Sequence, residues 1–497
     1  PAPTKQTRYC REDRSLRNKP DIAGRIRACE INRVSPAGSD PAPGAAARPT
    51  PRGPGHEPRR SRDGGNLHQP GHREVRRRKG IHQVFAQEFC GFSPRRPEEY
   101  VCIGSEVTDK LAYKPAEFYI KRTTRRKFAL KNQTQELGHQ EKEKPTVVIA
   151  PLPQSPIHKC MADTTLLTEI IIQKYLYHIP FHRQIARFTD LGVRISSSTV
   201  GDWFSQSCEL LKPLYDHLRR RVLSTDYIQV DESTIPVIDN EKKRAVKGYL
   251  WVVRSVDNGE VFFHYDRGSR SEKTAMVLLH DFKGAIQSDG YQVYKRFETL
   301  DGKLMLGCWA HARRKFDEAL QENKKLATEA MLQIQSLYAL EREADEMEAT
   351  PDQRKELRRT KAYPILVTFE KWLYDNYNTL LPQSRTAKAI SYTYSLFPKL
   401  SRYHLDGRYR IDNNLVENAI RPLAIGRKNY LFCGNNDAAI RAAVMYSLLG
   451  SCKAAGVNPA EWLEDILSKM YSYSNGKGNM EDLLPLNWKR NQTCVML

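Results

Sequence analysis

Three β-rich segments, YIQVDESTIPV, YLWVVRSV and VFFHYD, follow one another between residues 227 and 266, separated by short charged or Asn-Gly turns (Asp257-Asn258-Gly259). Strands joined so tightly pair as antiparallel hairpins, because a parallel return needs a crossover of a dozen residues or more. A helical stretch, SEKTAMVLLHDF, comes next, then an apolar strand, GAIQSDG. A short helical piece, YQVYKRFE, leads to a fifth strand, KLMLGCWAHA. Strands reached through helices are added in parallel. The order β-β-β-α-β-α-β therefore predicts an α/β layered domain around a mixed five-stranded sheet.

The chain on either side is organised differently. Residues 1–95, with SPAGSDPAPGAAARPTPRGPGHEPRRSRDGG, have too few aliphatic side chains to offset the entropy of ordering, so disorder is expected there. Residues 96–160 read as a small β-rich segment and a Pro-rich connector. Residues 161–225 are helical, with Ser196-Ser197-Ser198 offering an N-cap, and have the spacing of a helix-turn-helix or of any helical hairpin. The α/β core is expected over 226–318 and 406–450, split by a helical insertion over 319–405. A C-terminal helix and tail occupy 451–497. Within the insertion, Met331, Ile334, Leu337 and Tyr338 form one apolar stripe, and Leu366, Phe369, Trp372 and Leu373 another.

Charge narrows the functional classes. The net charge of +21 favours a polyanionic partner, but residues 1–150 hold 31 Lys+Arg against 17 Asp+Glu, so two-thirds of the excess lies there. No run of about 18 apolar residues occurs, so no membrane-spanning helix is expected, and the opening PAPTKQTRYC lacks the apolar core of a signal peptide. Ten Cys without one C-x-x-C pair speak against a paired-Cys zinc site or a disulfide framework, and fit a reducing cytoplasm.

Two carboxylates follow the apolar β segments, Asp231 after Tyr227–Val230 and Asp289 after Ala285–Ser288. At the carboxyl end of a central strand, such a group faces the crevice where α/β sheets place ligands; alone, it is also an ordinary turn or cap residue. A third candidate is Glu417, one turn into a short helix capped from Asp412, Asn413 or Asn414. It could equally form an i,i+4 ion pair with Arg421. If the three converge, they suit two divalent cations flanking an in-line phosphoryl displacement, and Mg²⁺ fits oxygen ligands best. Glu232, next to Asp231, should face the other side of the strand.

From about Glu98 onward the chain resembles the transposases of the insertion sequence 66 family, a group of DDE transposases. The segments that carry the likeness are VDESTIPV, KGYLWVV, QSDGY, CWAHARRKFDEAL, IDNNLVENAIRPLAIGRKNYLFCGN and the terminal LLPLNWK. The resemblance implies an RNase H-like catalytic domain with a helical insertion before the last acidic residue, and a metal-binding triad of Asp231, Asp289 and Glu417. It implies metal-dependent cleavage at the 3′ ends of the element and attack of the freed 3′-OH on target DNA, with two Mg²⁺ ions (Mn²⁺ as substitute). The partners implied are the element's terminal repeats and target DNA, a homo-oligomer on DNA, and accessory proteins of the same element, at the bacterial nucleoid. His311, Arg313, Arg314 and Lys315 are candidates for holding DNA near the site, as are Arg421, Arg427 and Lys428 around the triad helix. His311 could instead be a hydrogen-bonded edge histidine.

Two rival functions are an RNase H-like nuclease that cuts without joining, and a DNA-binding remnant of a transposase without catalysis. The N-terminus departs from the family, whose members carry a coiled-coil or helical segment and often a Cys-paired zinc module there. Residues 1–95 have the Arg, Pro and Gly bias of coding sequence read out of frame. Translating the DNA upstream of Glu98 in the other two frames is expected to yield heptads or family-like sequence; failure in both frames refutes the frameshift.

Overall fold

The computed structural model describes residues 117–129, 147–151, 153–377 and 379–495. The segment 1–95 and most of the β-rich stretch after it lie outside these residues. What is described of that stretch includes β1 (Lys127–Ala129) and β2 (Val147–Ile149), paired antiparallel. Three helices follow: α1 (Thr164–Tyr175), α2 (Phe181–Asp190) and α3 (Ser197–Leu223). Ser196 starts α3 by accepting a hydrogen bond from the Thr199 amide at 3.1 Å, which satisfies one of the orphan donors of the first turn. Val200, Leu211, Leu214, Leu218 and Val222 along α3 are fully buried.

The mixed sheet forms in the expected order. β3 (Tyr227–Asp239), β4 (Arg244–Ser255) and β5 (Val261–Tyr265) make an antiparallel meander. After α4 (Glu272–Leu279), β6 (Gly284–Gln287) pairs parallel to β3. A 3₁₀ segment (Gln292–Thr299) then leads to β7 (Lys303–Leu306), parallel to β6. The spatial order is β5-β4-β3-β6-β7, compatible with an RNase H-like sheet. Two boundaries differ from expectation. β3 does not end at Asp231 but runs on to Asp239, because β4 pairs with it along its whole length after β6 has stopped at Gln287. The KLMLGCWAHA segment is strand only as far as Leu306; Trp309 already opens α5 (Trp309–Ala319).

The segment between sheet and last acidic residue is helical: α6 (Lys324–Glu346), α7 (Pro351–Leu357), a π-helical turn (Arg358–Ala362), α8 (Tyr363–Tyr377) and α9 (Arg385–Ser401). Both apolar stripes meet in a core of their own, where Ile334, Leu337, Leu366, Phe369 and Leu373 join Trp309 and Phe316 of α5. Trp309 stacks on Phe369 at 5.8 Å between ring centroids. The chain then returns to the sheet as α10 (Asn414–Tyr430), followed by α11 (Asn436–Ala455), α12 (Pro459–Ser474) and α13 (Pro485–Val495). α11 covers the edge strand β5: the Phe263 amide donates to Ser447 Oγ at 2.7 Å and the Val261 amide to Ser451 Oγ at 3.1 Å. An edge closed in this way cannot template pairing with another chain. No helix among the described residues is long and apolar enough to cross a membrane.

A buried polar network fixes where the returning chain lands. Tyr227, Gln229 and Gln287 are completely buried on the adjacent strands β3 and β6. Gln287 Oε1 accepts from Tyr227 Oη (2.7 Å) and Gln229 Nε2 (2.8 Å), while Gln287 Nε2 donates to the carbonyls of Gly307 (2.9 Å) and Arg410 (2.8 Å). Gln229 donates to the Asp412 carbonyl at 2.9 Å and accepts from the Val416 amide, in the first turn of α10, at 3.1 Å. Gln287→Leu is close in volume but strands several of these groups in a dry interior. It is expected to destabilise the fold by roughly 2–4 kcal/mol, read as a lower thermal midpoint, whereas loss of a solvated hydrogen bond would cost about 1 kcal/mol.

Candidate active site

Asp231 and Asp289 owe their proximity to strand register. β3 and β6 pair in parallel with Ile228 beside Ile286 and Gln229 beside Gln287, and the pairing stops there. Each aspartate sits two residues further on, past the last paired residues and at the carboxyl end of β6, the end where α/β sheets place ligands. Gly290 turns the chain immediately after Asp289 with φ +85°, and a Cβ there would lie 2.5 Å from Leu396 of α9. Asp289 is also held by its backbone: its Oδ1 accepts from the Tyr291 amide (2.9 Å) and its carbonyl from Tyr392 Oη (2.6 Å).

Glu417 arrives on the first turn of α10, whose entry Gln229 holds. The helix is 17 residues long rather than short, and Asn413 stands at its N-cap without a side-chain capping bond. No Glu417–Arg421 ion pair forms among the described residues. Glu417 Oε1 lies 3.7 Å from His311 Nδ1, and its Oε2 lies 3.9 Å from Arg314 Nη2. His311 Nδ1 and Glu417 Oε1 are both buried without a hydrogen-bond partner. Unsatisfied buried polar atoms are rare in folded chains, and two facing each other fit a site that another group completes.

Electrostatics ties the three carboxylates together. Burial is the main reason that the Asp231 carboxyl is pushed up to about 7 from its usual 3.8, and the negative charges of Asp289, Glu232 and Glu417 push in the same direction. One bond opposes the shift, from the Glu232 amide to Asp231 Oδ1 at 2.7 Å. Burial likewise pulls His311 below its usual value, against the attraction of Glu417 and Asp289. Glu232 is engaged elsewhere: Arg270 binds its carboxylate at 3.0 Å and Tyr294 Oη donates to it. Cys308, with His311 and Glu417, forms a cluster of donor atoms within 4.8 Å of one another. Burial raises its thiol to about 12, and its Sγ accepts from the Asn413 amide at 3.4 Å, which ties the sulfur to the entry of α10.

The basic candidates divide. Arg313, Arg314 and Lys315 on α5, and Arg421 and Lys428 on α10, are exposed. Arg427 is turned inward instead, its Nη1 donating to Ser233 Oγ (3.2 Å), Thr234 Oγ1 (2.7 Å) and the Thr234 carbonyl. It ties α10 to β3, which leaves that nitrogen unavailable to a phosphate. Sequence reasoning passed over Gln229 and Gln287, although a signal was present. Both aspartates follow the same spacing, Ile228-Gln229-Val230-Asp231 and Ile286-Gln287-Ser288-Asp289, with a glutamine inside an otherwise apolar strand.

Fold and site together define a mixed α/β protein with acidic side chains at the carboxyl end of its parallel strands. Residues 159–441 match the model of the family described as "Transposase IS66 family". Three uncharacterised proteins of Sinorhizobium fredii are similar over most of their length. The protein y4jD is 33% identical over 78% of this chain and 76% of its own. The proteins y4qI and y4hP are 30% and 27% identical, over 79% and 80% of this chain and 72% and 73% of theirs. The chain belongs to the IS66 family of transposases.

The Asp231 shift has a definite sign. A carboxyl that folds with its affinity for protons raised takes up a proton between about pH 4 and 7, so its contribution weakens the fold as pH rises through that window. Without divalent cations, Asp231→Asn is therefore expected to melt higher than the wild type at about pH 8, with the difference shrinking toward about pH 4. A lower-melting variant at pH 8 would contradict the shift.

Proposed function

We propose that this transposase cuts the ends of its element and joins them to target DNA by phosphoryl transfer at Asp231, Asp289 and Glu417. The observation that carries the reading is the Gln229–Val416 hydrogen bond, which brings the first turn of α10, and so Glu417, to the paired strands that bear Asp231 and Asp289, although Glu417 lies 128 residues beyond Asp289. Carboxylates gathered this closely repel one another unless cations or protons intervene. The unpartnered Glu417 Oε1 and the all-oxygen donor set fit two Mg²⁺ ions, with Mn²⁺ as a substitute, held by these three residues. Bound there, the ions would supply charge stabilisation to the attacking and leaving oxygens of an in-line displacement.

The chain's own groups do the positioning. Arg313, Arg314 and Lys315 on α5, with Arg421 and Lys428 along the exposed surface of α10, suit DNA phosphates, which fix register without reading sequence. His311, at 3.7 Å from Glu417, orients that carboxylate or receives a proton released near it. In the first reaction a water oxygen displaces the 3′-oxygen of the element end. In the second, that freed 3′-OH displaces a 3′-oxygen in target DNA, so each step forms one P–O bond and breaks one. No covalent enzyme intermediate is required, because orientation and charge carry the chemistry. Terminal repeats and target DNA are the partners on this reading, with a homo-oligomer bringing two ends together at the nucleoid.

The test is Mg²⁺-dependent end cleavage and joining by the wild type beside Asp289→Asn. The variant is expected to lose about 100-fold or more in both steps, since even partners behind a metal's ligands are worth about 10–100-fold. Equal activity of the two proteins would refute the triad, and cleavage without joining by the wild type would make the protein a nuclease.

A further inference from the structure

The YLFCGN segment that ends α10 has no part in the chemistry above, yet it walls a cavity of its own. This cavity, of about 200 Å³, lies between the α1–α3 helices and the α10–α11 junction. Aromatic rings of Phe181, Phe204, Tyr430 and Phe432 line it, with Lys174 and Arg441 as its cations. Its size admits one planar ring system but not a drug-sized ligand, whose clefts run to about 300–1,000 Å³. The wall is pinned to the catalytic sheet: the Cys433 amide donates to the Pro236 carbonyl (2.8 Å), and the Ile238 amide to the Cys433 carbonyl (2.9 Å). Leu431 holds φ at +66°, a conformation that a branched side chain rarely adopts, and leaves Phe432 47% exposed at the rim.

The cations are what call for a ligand. Lys174 Nζ sits 3.8 Å from the centroid of the Phe181 ring and 5.2 Å from that of Phe204. The ionisable groups that bear on it are Cys433, Cys208 and Arg441, with no carboxylate among them. Both thiols are held neutral by burial, Cys433 pushed up to about 11. Lys174 is pulled down to about 8, chiefly by burial. A largely desolvated ammonium near a guanidinium, with no carboxylate paired to it among the described residues, is costly unless an anion joins them. Rings that stack a base, beside cations that hold a phosphate, are how proteins take up unpaired nucleotides.

We infer that this cavity binds one unstacked nucleotide of a DNA strand, its base among Phe181, Phe204, Tyr430 and Phe432 and its phosphate on Lys174 and Arg441. The inference rests on the transposase reading for its substrate and adds a subsite to it. Glu417 and Tyr430 stand at opposite ends of α10, thirteen residues and so about 20 Å apart. At about 3.4 Å per nucleotide, a strand in the crevice would reach the cavity after roughly six steps.

Photo-cross-linking of the full chain to a short single-stranded oligonucleotide carrying 5-iododeoxyuridine, in EDTA, tests it. Cross-links are expected on peptides containing Phe181, Tyr430 or Phe432. An unlabelled oligonucleotide should compete about tenfold better than one with abasic sites, since both share phosphates but only one can stack. Phe432→Ala, at an exposed rim, and Lys174→Gln should each lower the yield about tenfold with the thermal midpoint preserved. If Lys174→Gln does not fold, Phe432→Ala alone decides. Cross-links confined to other peptides, equal competition by the abasic oligonucleotide, or an unchanged yield in Phe432→Ala would overturn the subsite. Asp231→Asn should keep the cross-link and lose joining, so joining retained in this variant counts against the catalytic reading alone, and joining by a wild type that gives no cross-link on these peptides counts against the cavity alone.

Discussion

The delivery of Glu417 to the strands that bear the two aspartates depends on two buried glutamines. Gln229 and Gln287 lie side by side on parallel strands, and between them they bind Tyr227, the carbonyls of Gly307, Arg410 and Asp412, and the amide of Val416. An amide side chain offers both donors and an acceptor, so a pair of them can satisfy converging backbone from several directions at once. Where such a network is complete it selects one arrangement of chain, because any slip leaves polar groups unpaired in a dry interior. Here the arrangement selected is the one that delivers the first turn of α10, and so Glu417, next to strands that were laid down more than a hundred residues earlier.

The helical insertion is built to the same end. Its apolar core keeps it folded as a unit, while a buried ion pair, Arg358 with Glu341, which Arg354 shares, governs how it rejoins the sheet. Arg358 bonds Glu341 through Nε and Nη2, at 2.7 Å each, and gives its remaining donors to the carbonyls of Tyr403, Asp406 and Tyr409. A guanidinium with all its donors used can be buried without the penalty of an unpaired charge. Those three carbonyls belong to the stretch that leads into α10. The clamp and the glutamine pair therefore act in series on one short piece of backbone.

Much of this was legible in the residues. Strand order followed from alternation, Asn-Gly turns and the helices between later strands, and the insertion's two stripes were visible at helical spacing. The length of β3 was not legible, because what continues a strand past Asp231 is the partner on its other side, and pairing partners are not written in local pattern. Arg427 looked like its neighbour Lys428 in a basic pair. Only the packed structure distinguishes them, one bonded to β3 and the other exposed. The shared Ile-Gln-x-Asp spacing could have been seen, and it anticipates the register of the two strands that bear the aspartates.

Tyr392 and Leu396 of α9 give the insertion a further meaning. One bonds the carbonyl of Asp289 and the other fills the space above Gly290 where a side chain would stand. The insertion is thus one wall of the turn that presents Asp289, and its faces are under unequal demands. The outer surfaces of α8, where Val367 and Tyr374 are exposed, are open to drift in length and composition. The inner face of α9 is not. An insertion that reads as an accessory module in the sequence is, along this one face, an inseparable part of the sheet's own architecture.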